Sequence, residues 1–200
     1  MAFNYHLVQT DFQPNLNNYC GGFALDAILF NLNVHAPQPI ITYNGIQACQ
    51  IGLGPNSQAL VNASILGGTR ISLPSSIAIF ASQIMRTVGV FVNTQLVNTV
   101  VGFANVLPEE RMRIQNNILY EDFHGYNPTL QNVLEDPNID YTFFVVLVGD
   151  GGHWVAVKKE EGRYCMYDPA DGSEIPFVFD EGGNNLPNNY TWNGVAIGIG

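Results

Sequence analysis

From residue 141 onward the chain is built of short apolar runs rich in β-branched and aromatic residues, separated by compact polar breaks. YTFFVVLV (141–148), HWVAVKK (153–159), GRYCMYDP (162–169) and TWNGVAIGIG (191–200) each have the length and composition of a strand. Earlier in the chain the apolar positions group differently. In NNYCGGFALDAILF (17–30) every position from Phe23 to Phe30 is apolar except Asp26, and Ala24, Leu25, Ala27 and Leu29 are good helix formers. A helix that is hydrophobic on nearly every side lies inside a protein, so this stretch predicts a buried central helix. PQPIITYNGIQACQIGLGPN (37–56) mixes β-branched runs with turn residues and reads as irregular chain, with a short helix after it over 57–66. SSIAIFASQIMRTVGVFVN (75–93), behind Pro74, opens with serines suited to capping and predicts a longer helix. PEERMRIQNNIL (108–119) has proline at a first-turn position followed by Glu109 and Glu110, a helix start. Helices first and an antiparallel sheet afterwards is an α+β order. The expectation is one domain over 1–200, with a helical part to about residue 135 and a β-sheet part from about 136.

Composition narrows the partners. Seven basic residues against seventeen acidic ones give a net charge of −10, which repels nucleic-acid phosphates and anionic membranes. Apolar residues at 46% and a mean hydropathy of +0.07 exclude a disordered chain. No window reaches the roughly 18 apolar residues of a membrane span, and MAFNYHLVQT has neither the basic start nor the apolar core of a signal peptide. Charged residues are only 12% while asparagine occurs 22 times, so the surface must be polar largely without charge. Cys20, Cys49 and Cys165 are odd in number and far apart, which suggests neither a disulfide framework nor a zinc site. A reducing compartment follows, the cytoplasm, or export without a classical signal.

Cys20 is the first residue with chemical promise. It falls at or just before the first turn of the predicted central helix, where unpaired backbone N–H groups and the positive end of the helix dipole favour a thiolate. Gly21 and Gly22 leave bare backbone beside the sulfur, room for another molecule to approach. The same position also suits a buried thiol packed as a small hydrophobe.

A thiol nucleophile needs a base, and the base needs an orienting partner. GDGGHWVAVKKEEGRYCMYDPADG (149–172) reads as a hairpin turning around Lys159, Glu160, Glu161 and Gly162. If Lys159 pairs with Gly162, His153 lies directly opposite Asp168, close enough for the carboxylate to accept an imidazole proton. A bulge in the turn would shift that register. Cys20, His153 and Asp168 then supply nucleophile, base and orienter. The Asp-Pro and Asp-Gly pairs at 168–172 are equally ordinary strand-ending turns. His124 in EDFHGYNP is a second candidate for the base, whereas His6 and His35 stand in no comparable context.

NNYCGGFAL, GGHWVAV and YDPADG, in the order Cys, His, Asp, resemble the papain-like cysteine peptidase superfamily, and among its branches the compact bacterial peptidases and the papain-like toxin or effector domains. The resemblance covers about a quarter of the chain. It implies a papain-like fold, with the cysteine on the buried helix and the histidine and aspartate on the sheet. It implies hydrolysis of an amide bond in a peptide or protein through an acyl-enzyme, with no metal or organic cofactor. Glutamine deamidation and transglutaminase-like transfer use the same triad, and a non-catalytic binding protein can use the same scaffold. The resemblance also implies an amide side chain upstream of the cysteine for the oxyanion. Gln13 matches best, one residue further away than the family pattern because Pro14 occupies the usual position, and Asn15, Asn17 and Asn18 carry amides nearby. QPNLNN is also simply a loop rich in turn formers.

Overall fold

The computed structural model describes residues 2–12, 18–65, 70–85, 87–97, 103–114, 117–123, 127–149 and 152–200. Among these residues are eight α-helices: α1 Gln9–Phe12, α2 Cys20–Asn31, α3 Pro39–Ala48, α4 Pro55–Ala63, α5 Pro74–Ser82, α6 Thr94–Val97, α7 Phe103–Arg113 and α8 Leu130–Glu135. Eight strands accompany them: β1 Val88–Val92, β2 Leu119–Asp122, β3 Phe143–Val148, β4 His153–Glu160, β5 Arg163–Asp168, β6 Ser173–Phe177, β7 Asn185–Leu186 and β8 Tyr190–Ile199. The strands form a mostly antiparallel sheet in the order β2-β1-β8-β3-β4-β5-β6, with β7 paired to β8; β1 and β2 run parallel. The molecule is thus of the α+β class. No described helix is long and apolar enough to cross a membrane.

The central helix lies where its pattern predicts. Phe23, Ala24, Leu25, Ala27, Ile28 and Leu29 of α2 are all fully buried, in one core with Ile77 and Ala78 of α5 and the sheet residues Val145, Leu147, Trp154 and Ala156. Its polar exception, Asp26, is fully buried too and accepts hydrogen bonds from Tyr5 Oη (2.6 Å), Thr42 Oγ1 (2.7 Å) and the Gln38 N–H (2.9 Å). A buried carboxylate needs such partners, and this one ties the N-terminal segment and α3 to the central helix. The opposite face of the sheet carries a second core, with Leu130, Val133 and Leu134 of α8 packed on Phe144, Val146, Val155 and Met166.

Several expectations need correction. The stretch 37–56 holds α3, not irregular chain: Pro39 starts it at the first turn, Thr42 is tied to Asp26, and packing against α2 overrides the weak propensity of its β-branched residues. The run 75–93 divides into α5 and strand β1; all five residues of β1 are buried, so no alternation marks the switch from helix to strand. The α5 serines do not cap it, the residue before the helix being Leu73 with no side-chain cap. Pro108 lies inside α7, five residues after Phe103, rather than at a helix start. Its acidic neighbours serve other helices. Glu109 accepts the N–H groups of Asn56 (3.0 Å) and Ser57 (2.7 Å) at the start of α4, and Glu110 accepts that of Ser75 (2.8 Å) at the start of α5. They satisfy first-turn donors from across the core, which a sequence motif cannot express. Strands β1 and β2 also bring two members of the sheet out of the part expected to be helical.

The β4–β5 hairpin corrects the register. Glu160 pairs with Arg163 and Lys159 with Tyr164, so the turn is the two-residue Glu161-Gly162, with positive φ at both (50° and 74°) as a tight primed turn requires. Against the expected pairing the strands slip by two residues, an even shift that keeps every side chain on its expected face. Continuing the observed register sets Asp168 opposite Val155, making it a diagonal rather than direct neighbour of His153.

Candidate active site

Cys20 is the first residue of α2 and is half-buried. The N-cap residue Tyr19 makes no side-chain cap, and the first backbone bond of the helix runs from Phe23 N–H to Tyr19 C=O at 3.0 Å. The N–H groups of Cys20, Gly21 and Gly22 therefore precede the hydrogen-bonded ladder. The two glycines do not open an approach to the sulfur. Both are buried, and a Cβ on Gly21 would stand 2.6 Å from Ser72 Cβ, one on Gly22 2.5 Å from Tyr43 Cβ and 2.9 Å from its Cα. They let α3 and the Ser72 segment pack directly onto the first turn of α2, a core requirement rather than a channel. Of GDGG, only Gly149 and Gly152 lie within the described residues, both with positive φ (71° and 75°) as the connection into β4 turns.

His153 begins β4, and its Nε2 lies 2.8 Å from Asp168 Oδ1 at the end of β5. The diagonal register is bridged by the side chains themselves. Cys20 also acts on the imidazole and is among the groups that push its pKa up. With Nε2 engaged by Asp168, Nδ1 is the nitrogen left for the thiol. Burial pulls the His153 pKa down, but the hydrogen bond to Asp168, the Cys20 contact and the charges of both outweigh it and push the value up to about 10. Burial likewise raises Asp168, yet the His153 hydrogen bond and charge, the Ala170 N–H and the Asn188 amide hold it down at about 2. The pair is ionic at neutral pH. Trp154, the next residue, turns to the α2 side and donates its Nε1–H to the Ser72 carbonyl at 3.0 Å, pinning the start of β4 to the segment that packs on Gly21.

Two residues that sequence reasoning did not single out complete the surroundings. Asn188 donates its Nδ2–H to Asp168 Oδ2 at 3.0 Å. Tyr190 sets its ring against the imidazole, centroids 5.5 Å apart, and turns its phenol toward Asp168; burial and that carboxylate push the phenol pKa far up, so it stays protonated. PNNY announces a turn, but nothing local says that the tip reaches a residue twenty positions earlier.

Of the oxyanion candidates, Gln13, Asn15 and Asn17 lie outside the described residues, and Asn18 donates its Nδ2–H to the Ser64 carbonyl at 2.7 Å. His124 also lies outside them. His6 is exposed, 3.7 Å from Glu174, and His35 stands 3.7 Å from the buried Asp26. The other thiols differ from Cys20: burial raises the pKa of Cys49 despite Arg113 nearby, and burial raises that of Cys165 inside β5. Neither the family models nor the curated proteins compared with this chain give a match.

Proposed function

We propose that the protein is a papain-like cysteine hydrolase that acts on an amide bond of a peptide or protein. One observation carries this reading: a cysteine at the first turn of a buried helix acts on an imidazole whose Nε2 is 2.8 Å from a buried carboxylate. In the forward half-reaction the Cys20 sulfur, its proton already held by the His153 imidazolium, attacks the carbonyl carbon. His153 then returns the proton to the departing nitrogen, the C–N bond breaks and a thioester forms. Water attacks the thioester, giving a proton to His153; the S–C bond breaks as the acid leaves, and His153 keeps that proton, which restores the starting state. Among the described residues, the first-turn N–H groups of α2, including that of Cys20, are donors available to the oxyanion. Asp168 takes no proton; it holds the ring and stabilises the imidazolium.

Peptide and protein mixtures incubated with wild type and with Cys20→Ala, read by mass spectrometry, test this. New termini that need Cys20 assign a peptidase. Mass gains of about one dalton on intact chains, with ammonia released, assign a deamidase with the same thiol chemistry. No product in either channel overturns the hydrolase and leaves a binding protein on this scaffold. Iodoacetamide at pH 6 followed by peptide mapping should label Cys20 first; faster labelling of Cys49 or Cys165 would remove the assigned nucleophile.

A further inference from the structure

The Asp168 carboxylate is gripped on both oxygens. Oδ1 accepts from His153 Nε2 at 2.8 Å and from the Ala170 N–H at 2.9 Å, while Oδ2 accepts from Asn188 Nδ2 at 3.0 Å. Asn188 comes from a tight hairpin: β7 and β8 pair Leu186 with Tyr190, leaving Pro187, Asn188 and Asn189 as the loop. Asn188 and Asn189 both take left-handed backbone, φ 62° and 58°, a conformation that asparagine tolerates better than most residues. The same hairpin supplies Tyr190, whose ring packs on His153.

An aspartate side chain rotates easily about its last torsion. With hydrogen bonds on Oδ1 alone, the carboxylate could swing Oδ2 away and tilt the line from Oδ1 to the imidazole. A donor on Oδ2 removes that freedom, and an amide does so without a proton of its own to lose or gain across the working pH range. We propose that Asn188 is a positioning residue: the β7–β8 hairpin tip holds Oδ2 of Asp168, keeps Oδ1 in line with His153 Nε2, and so fixes the imidazole for chemistry at Cys20. The catalytic part of this inference rests on the hydrolase reading above, whereas the structural part does not.

Asn188→Gly separates positioning from turn formation, because glycine adopts the left-handed conformation freely but carries no amide. If Asn188 served only the turn, the variant would match wild type. We expect near-wild-type melting, a downfield proton resonance of His153 Nε2–H that moves upfield or broadens, and kcat lowered about tenfold with KM little changed. Asn189→Gly, the neighbouring left-handed position, should leave all three unchanged. A wild-type resonance in Asn188→Gly overturns the proposal, as does a wild-type kcat. If the wild-type protein hydrolyses nothing while the resonance still moves in Asn188→Gly, the hydrolase reading fails and the hydrogen-bonded hold on Asp168 stands. Should Asn188→Gly not fold, the Asn188 side-chain amide of the wild type gives the answer: its protons should exchange slowly with solvent and shift in Asp168→Asn, and fast exchange overturns the proposal.

Discussion

The two sides of the candidate site are held by different physics. On the Cys20 side, the first turn of α2 is fixed by close packing, Gly21 against Ser72 and Gly22 against Tyr43, with no side-chain cap on the helix. On the His153 side, strand ends and a hairpin tip are fixed by hydrogen bonds that converge on one carboxylate. Packing tolerates no added volume but is indifferent to protons. Hydrogen bonding to a charge tolerates little loss of partners and depends on protonation. The reacting atoms meet where these two regimes touch, and substitutions on each side should fail in different ways.

The largest effect is expected where the two sides meet. Cys20→Ala and His153→Ala should each take hydrolysis to the assay background, because each removes a group that makes or breaks a bond. Cys20→Ala should melt close to wild type, since a half-buried thiol is replaced by a slightly smaller apolar group. Residual turnover in Cys20→Ala above a vector-only control would remove the cysteine from the chemistry.

Next comes Asp168→Asn, with turnover expected to fall on the order of 100- to 10⁴-fold while staying measurable, since Asp168 orients and stabilises rather than reacts. The pH profile gives the sign. Asp168 is a main cause of the upward push that takes His153 to about 10, so its neutralisation should move the alkaline limb of kcat/KM to lower pH. An unchanged profile together with wild-type turnover would mean that some other residue orients the imidazole.

Smaller again is Gly22→Ala. The added methyl must push against Tyr43 backbone and side chain, and overpacking of this kind costs about 1–3 kcal/mol. For a chain of this size that lowers the melting temperature by roughly 2–12 °C. The surviving folded fraction should keep its alkaline limb where wild type has it, because no partner of His153 or Asp168 has changed. A variant that melts like wild type would show that α3 gives way without cost.

Legibility in the sequence followed the same division. The buried helix could be read because an unbroken apolar run has one physical meaning, and strands β3, β4, β5 and β8 because their runs are short and bounded by turns. Cys20, His153 and Asp168 were each visible as residue types in suitable places. The direct His153–Asp168 pairing was not, because a two-residue turn displaced by one position along the chain slips the register by two without changing the faces. The glycines beside Cys20 were legible as glycines but not in purpose: an open approach and a close packing contact write the same letters. Glu109 and Glu110 read as the start of their own helix when their hydrogen bonds go to the starts of two others. Asn188 was hidden for the same reason, since its function depends on a contact across twenty residues.

The smallest effect separates the two sides most cleanly, because it is one of shape rather than size. His153 has its pKa raised from 6.5 to about 10 in the folded protein, so the stability it contributes is fully present below pH 6.5 and is lost as pH rises through 10. Asp168 is lowered from 3.8 to about 2, so its contribution is fully present above pH 3.8 and is lost as pH falls through 2. The two overlap in full between pH 3.8 and 6.5. The melting-temperature gap between wild type and Asp168→Asn should therefore be widest in that window and narrow toward pH 10 on one side and toward pH 2 on the other. The gap between wild type and Gly22→Ala should stay flat over the same range, because the atoms nearest the added methyl all belong to Tyr43, whose burial raises its pKa beyond it. Thermal melts of the three proteins across pH 3–10 measure both curves. A flat Asp168→Asn gap would mean that the carboxylate and imidazole are not ionised together in the folded protein. A gap for Gly22→Ala that follows pH like that of Asp168→Asn would mean that the first turn of α2 and the histidine–aspartate pair are one coupled unit rather than two independently held walls.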